Sequence, residues 1–499
     1  MVDNLILQTA WTDAIWGGAQ HTGWPPLTPL LAEVTEAETG PLVLAGVLLS
    51  LITVFIAAKV GGELCARLNL PSVLGELVGG VVVGVSALNL IVFPETGATT
   101  SALMNIIQMT SPLEPDALFH IFSSESEALS VLAELGVIIL LFEIGLESDL
   151  KELIRVGPQA AVVAIVGVLA PFIAGTAGLI FFFNIATIPA VFAGAALTAT
   201  SIGITAKVLA EMQQLSSREG QIIIGAAVLD DVLGIIVLAV VASLAKTGEI
   251  EIANVIYLVV GAGVFLVGSI FLGRLLSPLF VSLVDQLQTR GQLIISSLVF
   301  AFVLSYIAAA IQLETILGAF AAGLILAETS KRRELEEQIT PIADMLVPVF
   351  FVTVGARTDI SVLNPLVPAN REGLIIASFL VIVAIIGKTI TGYVVFGQPG
   401  INRLAVGFGM IPRGEVGLVF AGVGAASGAL SESLDAAIIV MVIVTTFIAP
   451  PLLRLVFDSD GELEEAAEPA SQKVIEKAAE GEASIATGEA VIATDSTEA

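Results

Sequence analysis

Two adjacent carboxylates, Asp230 and Asp231, sit in the middle of the apolar run 225–241. A charged side chain at membrane depth costs roughly 2.5–3.5 kcal/mol on insertion scales, so a pair of them demands a counter-charge, a wet cavity or a transport role. Few folds can hold such a pair. A lysine from another helix could neutralise one of the two, or the helix could line water without moving anything; the rest of the chain decides between these readings.

The 499 residues are 56% hydrophobic and only 13% charged, with a mean hydropathy of +0.97. No soluble domain of this length reads so, and the expectation is an all-α polytopic membrane protein. The single cysteine, Cys65, excludes a disulfide framework and a thiolate metal cluster. His21 and His120 lie outside the apolar runs, so neither serves a proton relay at membrane depth. Of the net charge of −27, −20 resides in three polar segments, 1–40, 93–127 and the tail after Phe457. That acidity belongs to solvated segments, and no nucleic-acid partner is expected.

About thirteen membrane segments can be marked: 41–67, 71–92, 129–146, 158–183, 188–211, 219–246, 252–275, 292–311, 314–329, 340–357, 371–396, 400–428 and 433–456. With the N-terminus outside, thirteen lysines and arginines fall on the inner face and three, Lys246, Arg357 and Arg371, on the outer. That bias puts the tail in the cytosol. The first residues lack a basic n-region and a small-residue cleavage site, so no removable signal peptide is expected.

An internal repeat organises these segments. The run 73–84, VLGELVGGVVVG, recurs at 316–327 as ILGAFAAGLILA, a shift of 243. The run 141–150, LFEIGLESDL, recurs at 351–360 as FVTVGARTDI, a shift of 210. The difference of 33 matches the long polar loop at 93–127, present in the first copy alone. Segments 1–6 thus map onto 8–13, and a shift of seven crossings turns the second copy over. Two inverted six-helix repeats, 41–246 and 292–456, joined by a linker helix within 247–291, are the architecture of many secondary transporters.

Matching positions of the two copies then carry broken helices. Segment 5 contains Thr198, Thr200, Ser201 and Thr205 among glycines and alanines, whose hydroxyls can replace backbone hydrogen bonds. Segment 12 contains Pro412, which cannot continue the ladder, followed by Arg413 and Glu415. Crossing half-helices would leave orphan amides and carbonyls near the midplane, with partial charges at each end. Lys388 is the one lysine deep in an apolar run. It needs an anion, and Asp230 or Asp231 is the obvious partner, with the carbonyl ends of the half-helices as a further acceptor.

Together, 198–203 (TATSIG), Asp230–Asp231, 350–355 (FFVTVG), Lys388 and 412–417 (PRGEVG) resemble the monovalent cation/proton antiporters, and specifically the electrogenic, two-aspartate bacterial sodium/proton antiporters. The resemblance covers about 41–456, and its wording is most similar to cyanobacterial members. It implies a homodimer in which a six-helix core carries the ion past a fixed dimerisation domain. By position, Asp231 would bind the ion and protons, Asp230 would pair with Lys388, Thr200 and Ser201 would sit at the first crossing, and Glu415 and Arg413 would compensate charge at the second. The polar loop at 93–127 and a short acidic tail, 457–499, depart from the family pattern. The missing nucleotide-binding domain and the first aspartate argue against the glutathione-gated potassium-efflux branch.

The chemistry expected is competition for one carboxylate: Asp231 holds a proton or a cation, and that exclusion couples the fluxes. Na+ or Li+ is the expected ion, with K+ the alternative, ligated by hard oxygens such as those of Asp231, Thr200 and Ser201. No resident cofactor and no enzymatic activity are expected. The membrane would be the plasma membrane or, for a cyanobacterial chain, the thylakoid, with the N-terminus outside or lumenal. An electroneutral exchanger would use nearly the same parts. An ion channel would share buried charges without needing two broken helices, and a receptor would need no carboxylate pair.

Overall fold

Backbone amides and carbonyls in a bilayer must be satisfied within the protein, and every regular element among the described residues is helical. The structure is a computed structural model, and it describes residues 28–110, 114–247, 251–367, 370–398 and 400–457. The polar N-terminal stretch up to residue 27, with His21, and the acidic tail from 458 lie outside the described residues.

In chain order the helices are α1 (Thr28–Arg67), α2 (Ser72–Val83), α3 (Ala102–Thr110), α4 (Pro115–Glu147), α5 (Leu150–Phe183), α6 (Thr187–Ala196), α7 (Ile202–Glu211) and α8 (Arg218–Thr247). Then follow α9 (Ile252–Gln286), α10 (Gln292–Ala310), α11 (Thr315–Ala327), α12 (Arg332–Ala356), α13 (Asn370–Tyr393), α14 (Arg403–Gly409), α15 (Glu415–Ala426) and α16 (Glu432–Phe457). Among the described residues nine helices are long and apolar enough, by length and composition, to cross a membrane. Three others, α2, α6 and α11, are apolar but span only 12, 10 and 13 residues. Segments 5 and 12 of the sequence are each two short helices, because each is interrupted in its middle.

One expectation is corrected. The stretch 93–127 is not one polar loop: it holds a turn at Pro94–Thr96, helix α3 and the first third of α4. Pro115 occupies the first turn of α4, where a missing N–H costs nothing. Ile121, Phe122, Glu125 and Leu129 then form a buried stripe at helical spacing. Intervening Ser and Glu dilute the hydropathy there, which hides the helix from an apolar-run criterion. Met104 and Ile107 of α3 close over that stripe.

The helices pack as two bundles. One contains α1, α2, α4, α10, α11 and α12; the other contains α5, α6, α8, α13, α14, α15 and α16, with α7 at the seam and α9 bridging α8 to α11. Each bundle therefore draws on both halves of the sequence, so a repeat is not itself a packing unit.

The repeat shows instead in how helices cross. A Cβ on Gly80 of α2 would overlap the carbonyl oxygen of Val352 and meet the Cα of Gly355 in α12 at 2.8 Å. A Cβ on Gly323 of α11 would overlap the carbonyl oxygen of Phe142 and meet the Cα of Gly145 in α4 at 2.9 Å. Gly80 and Gly323 are repeat mates, as are Gly355 and Gly145. The second helix of each copy thus lies backbone to backbone on the third helix of the other. In lipid, where burial of apolar surface drives little, such close approach is what holds helices together.

Candidate functional site at the helix crossing

The site is built where two helices stop. α6 ends at Ala196 and α7 begins at Ile202, while α14 ends at Gly409 and α15 begins at Glu415. The two unwound stretches meet. The Ser201 amide donates to the Pro412 carbonyl oxygen at 2.8 Å, and the hydroxyls of Thr200 and Thr205 donate to the Met410 and Gly409 carbonyls at 3.2 and 2.8 Å. Orphan carbonyls of α14 are thus satisfied across the crossing rather than along their own helix. Gly414 allows this approach: a Cβ there would sit 2.7 Å from Ser201 Oγ.

Two cations face the carbonyl end of α6. Lys388 Nζ donates to the Thr198 carbonyl oxygen at 2.6 Å, and Arg413 Nη1 donates to that of Ala199. Both side chains are fully buried. A helix C-terminus carries a partial negative charge, so cations there are favourable beyond the hydrogen bonds themselves. Gly167 makes room for the ammonium, since a Cβ there would lie 3.3 Å from Nζ.

The same ammonium lies 3.2 and 3.3 Å from the two carboxylate oxygens of Asp230, whose side chain is also 0% exposed. An ion pair so completely removed from water holds only because both charges have further partners; taking away one member costs about 3–5 kcal/mol. Asp231 follows directly on α8. Successive helical residues point about 100° apart, so only one of the two aspartates can face Lys388 squarely. Asp231 is 4% exposed and stays within electrostatic reach of the ammonium.

Three polar atoms at this crossing, Ser201 Oγ and the Nε and Nη2 of Arg413, are buried without a hydrogen-bond partner in the protein, and the two guanidinium N–H groups are donors that water can satisfy.

The structure thus brings Asp230, Lys388, Thr200, Ser201 and Arg413 together, with Asp231 adjoining. Glu415 opens α15, but its side chain lies outside the described ones. Lys388 was expected to meet a carboxylate, with helix-end carbonyls as a further acceptor, and it has both. Thr205, one of the hydroxyls that marked segment 5 as interrupted, proves to bond across the crossing to Gly409 rather than within its own segment.

Three comparisons bear on this arrangement. Residues 44–458 match the family model described as "Sodium/hydrogen exchanger, transmembrane". The chain is 68% identical over 438 residues to the high-affinity Na+/H+ antiporter NhaS3 of Synechocystis, covering 87% of this chain and 95% of that one. It is 32% identical over 409 residues to the Na+/H+–K+ antiporter GerN of Bacillus cereus, covering 81% and 94%. Among solved structures it is similar to the sodium proton antiporter MjNhaP1 of Methanocaldococcus jannaschii, with a TM-score of 0.55 over 82% of this chain and 96% of that chain. At 16% identity that last likeness is one of fold.

Proposed function

The chain belongs to the sodium/hydrogen exchanger family, and from that membership we propose that it exchanges Na+ for H+ across a membrane by alternating access. It is an integral membrane protein and a transporter by family. The observation that carries the proposal is the fully buried Asp230–Lys388 pair at a crossing of interrupted helices, with a second aspartate beside it.

In this reading Asp231 takes either a proton or Na+, and the exclusion couples the two flows. Thr200, Ser201, the freed carbonyls and water complete an oxygen shell suited to a hard alkali ion. Arrival of Na+ loosens Asp230 from Lys388, and the ammonium then gives up its proton. Two protons for one Na+ moves one net charge, worth about 2.3 kcal/mol per 100 mV. Arg413, with Glu415, balances the half-helix ends. The functional unit is a homodimer, the N-terminus lies outside or in the lumen, and the membrane is the plasma or thylakoid membrane. The relative GerN is a Na+/H+–K+ antiporter, which makes K+/H+ exchange the second reading.

The test is dissipation of a pH gradient in proteoliposomes on addition of Na+, Li+ or K+, with and without a clamped potential. Na+-dependent proton movement that responds to the clamp supports electrogenic exchange; indifference to the clamp supports the electroneutral alternative. No ion-driven proton movement would refute exchange altogether.

A further inference from the structure

The repeat that relates the two halves also relates their charges, and it does so unequally. Where α2 begins and α4 ends, Glu76, Glu143 and Glu147 flank the seam between the bundles, with Lys207 of α7 in electrostatic reach of all three. Glu76 is 8% exposed, and its Oε2 has no hydrogen-bond partner. The repeat shifts carry these carboxylates onto Ala319, Thr353 and Arg357. The opposite mouth therefore holds no acid at the three matching positions and a guanidinium at one of them.

Arg357 follows the last turn of α12 and lines a cavity of about 30 Å³, room for one water, between the bundles. Leu77 and Val354 wall it on one side, Gly414 and Thr446 on the other, so Arg357 and the Gly414 end of the helix crossing border the same small cavity. The guanidinium is held in place but incompletely neutralised. Nη2 donates to Ser130 Oγ at 2.6 Å, and the ring of Phe93 lies 4.3 Å away. Glu95 stands off at 3.7 Å with its side chain 70% exposed, and Nε is buried without a hydrogen-bond partner.

We propose that Arg357 sets the cation affinity of the outer mouth: its fixed positive charge weakens cation binding from that side, while the mouth at Glu76 and Glu147 concentrates cations. This rests on the exchange reading above. A fixed charge cannot change the direction of exchange, which the gradients set. It changes the cation concentration that half-saturates each mouth.

The experiment uses the full chain in proteoliposomes of determined orientation, with Na+ added to one face at a time. Wild type shows the lower half-saturating Na+ concentration at the Glu76 mouth. Arg357→Gln lowers the value at its own mouth by about three- to tenfold, the size of one partly screened charge acting over a distance on the order of 10 Å, and leaves maximal rate and the other mouth unmoved. Arg357→Lys retains the wild-type asymmetry despite losing the planar fork. Glu95→Gln raises the outer value, and it decides the matter if Arg357→Gln does not fold. Raising ionic strength with an inert salt narrows the difference between mouths. Equal shifts at both mouths, or a change in maximal rate alone, would overturn the proposal and leave Arg357 a clamp on the stretch around Phe93. Absence of exchange by wild type would refute the exchange reading instead.

Discussion

The ammonium of Lys388 is shared between a carboxylate and a broken helix: it lies 3.2 Å from Asp230 Oδ2 and 2.6 Å from the carbonyl oxygen of Thr198. The ion pair and the end of α6 are thus one electrostatic unit. Moving the lysine disturbs both at once, which ties the protonation of the site to the geometry of the crossing.

Lys388→Gln is expected to spare part of the exchange and remove its dependence on membrane potential, because only Asp231 would still alternate between proton and cation. The loss of a buried partner costs about 3–5 kcal/mol at most, and Asp230 evades part of that by binding a proton. The variant should melt at lower temperature without unfolding. Na+-driven proton movement at several clamped potentials checks this; wild-type voltage sensitivity in a transporting variant would make Lys388 a structural counter-charge only.

The crosswise glycine contacts should be sensitive to the smallest additions. Gly355→Val places three carbons where the backbone of α2 at Leu77 and Gly80 already stands, a misfit of about 1–3 kcal/mol or more. Gly422→Val on α15, where a Cβ would meet nothing within 4 Å, is the control. Thermal melting in detergent should separate the two; equal stabilities would mean that α2 and α12 do not meet so closely.

The activity–pH profile should come from the carboxylates and Lys388 rather than from histidine. His120 is exposed on the first turns of α4, away from the crossing. Replacing His21 and His120 by Gln should leave the profile in place, and a displacement approaching one pH unit would place a sensor outside the site described.

The tail and the stretch after Phe93 should behave differently from one another. Truncation at Asp458 is expected to leave exchange intact, since the tail follows the last helix and stands outside the repeat. Removing the stretch around α3 is expected to lower stability, because Phe93 and Met104 are 1% and 0% exposed and Phe93 stacks against Arg357. Exchange rates after purification and melting temperatures of the two deletions test the contrast.

Why some of this was legible in residue types alone follows from where free energy forces a choice. Opposite charges at membrane depth have to find each other, so Lys388 could be paired with one of the two adjacent aspartates from far along the chain, and the family resemblance singled out Asp230, 158 positions away. Pro412 and the hydroxyl-rich stretch at 198–205 marked the interruptions because each alters backbone hydrogen bonding. Other features left no such mark. That carbonyl ends would be freed was legible, but which ones, those of Thr198 and Ala199, was not, because no side chain marks a backbone acceptor. The α3–α4 stretch is amphipathic against protein rather than apolar against lipid, so hydropathy passed over it. Arg357 read as one of three outer charges, and only packing shows what it faces.

The central claim is that one carboxylate alternates between proton and cation. Purified, folded Asp231→Asn protein in proteoliposomes, assayed for Na+-driven proton movement against wild type at equal density, tests it most directly. The account predicts no exchange above protein-free vesicles at any Na+ concentration or potential. Sustained Na+/H+ exchange by that variant would contradict it.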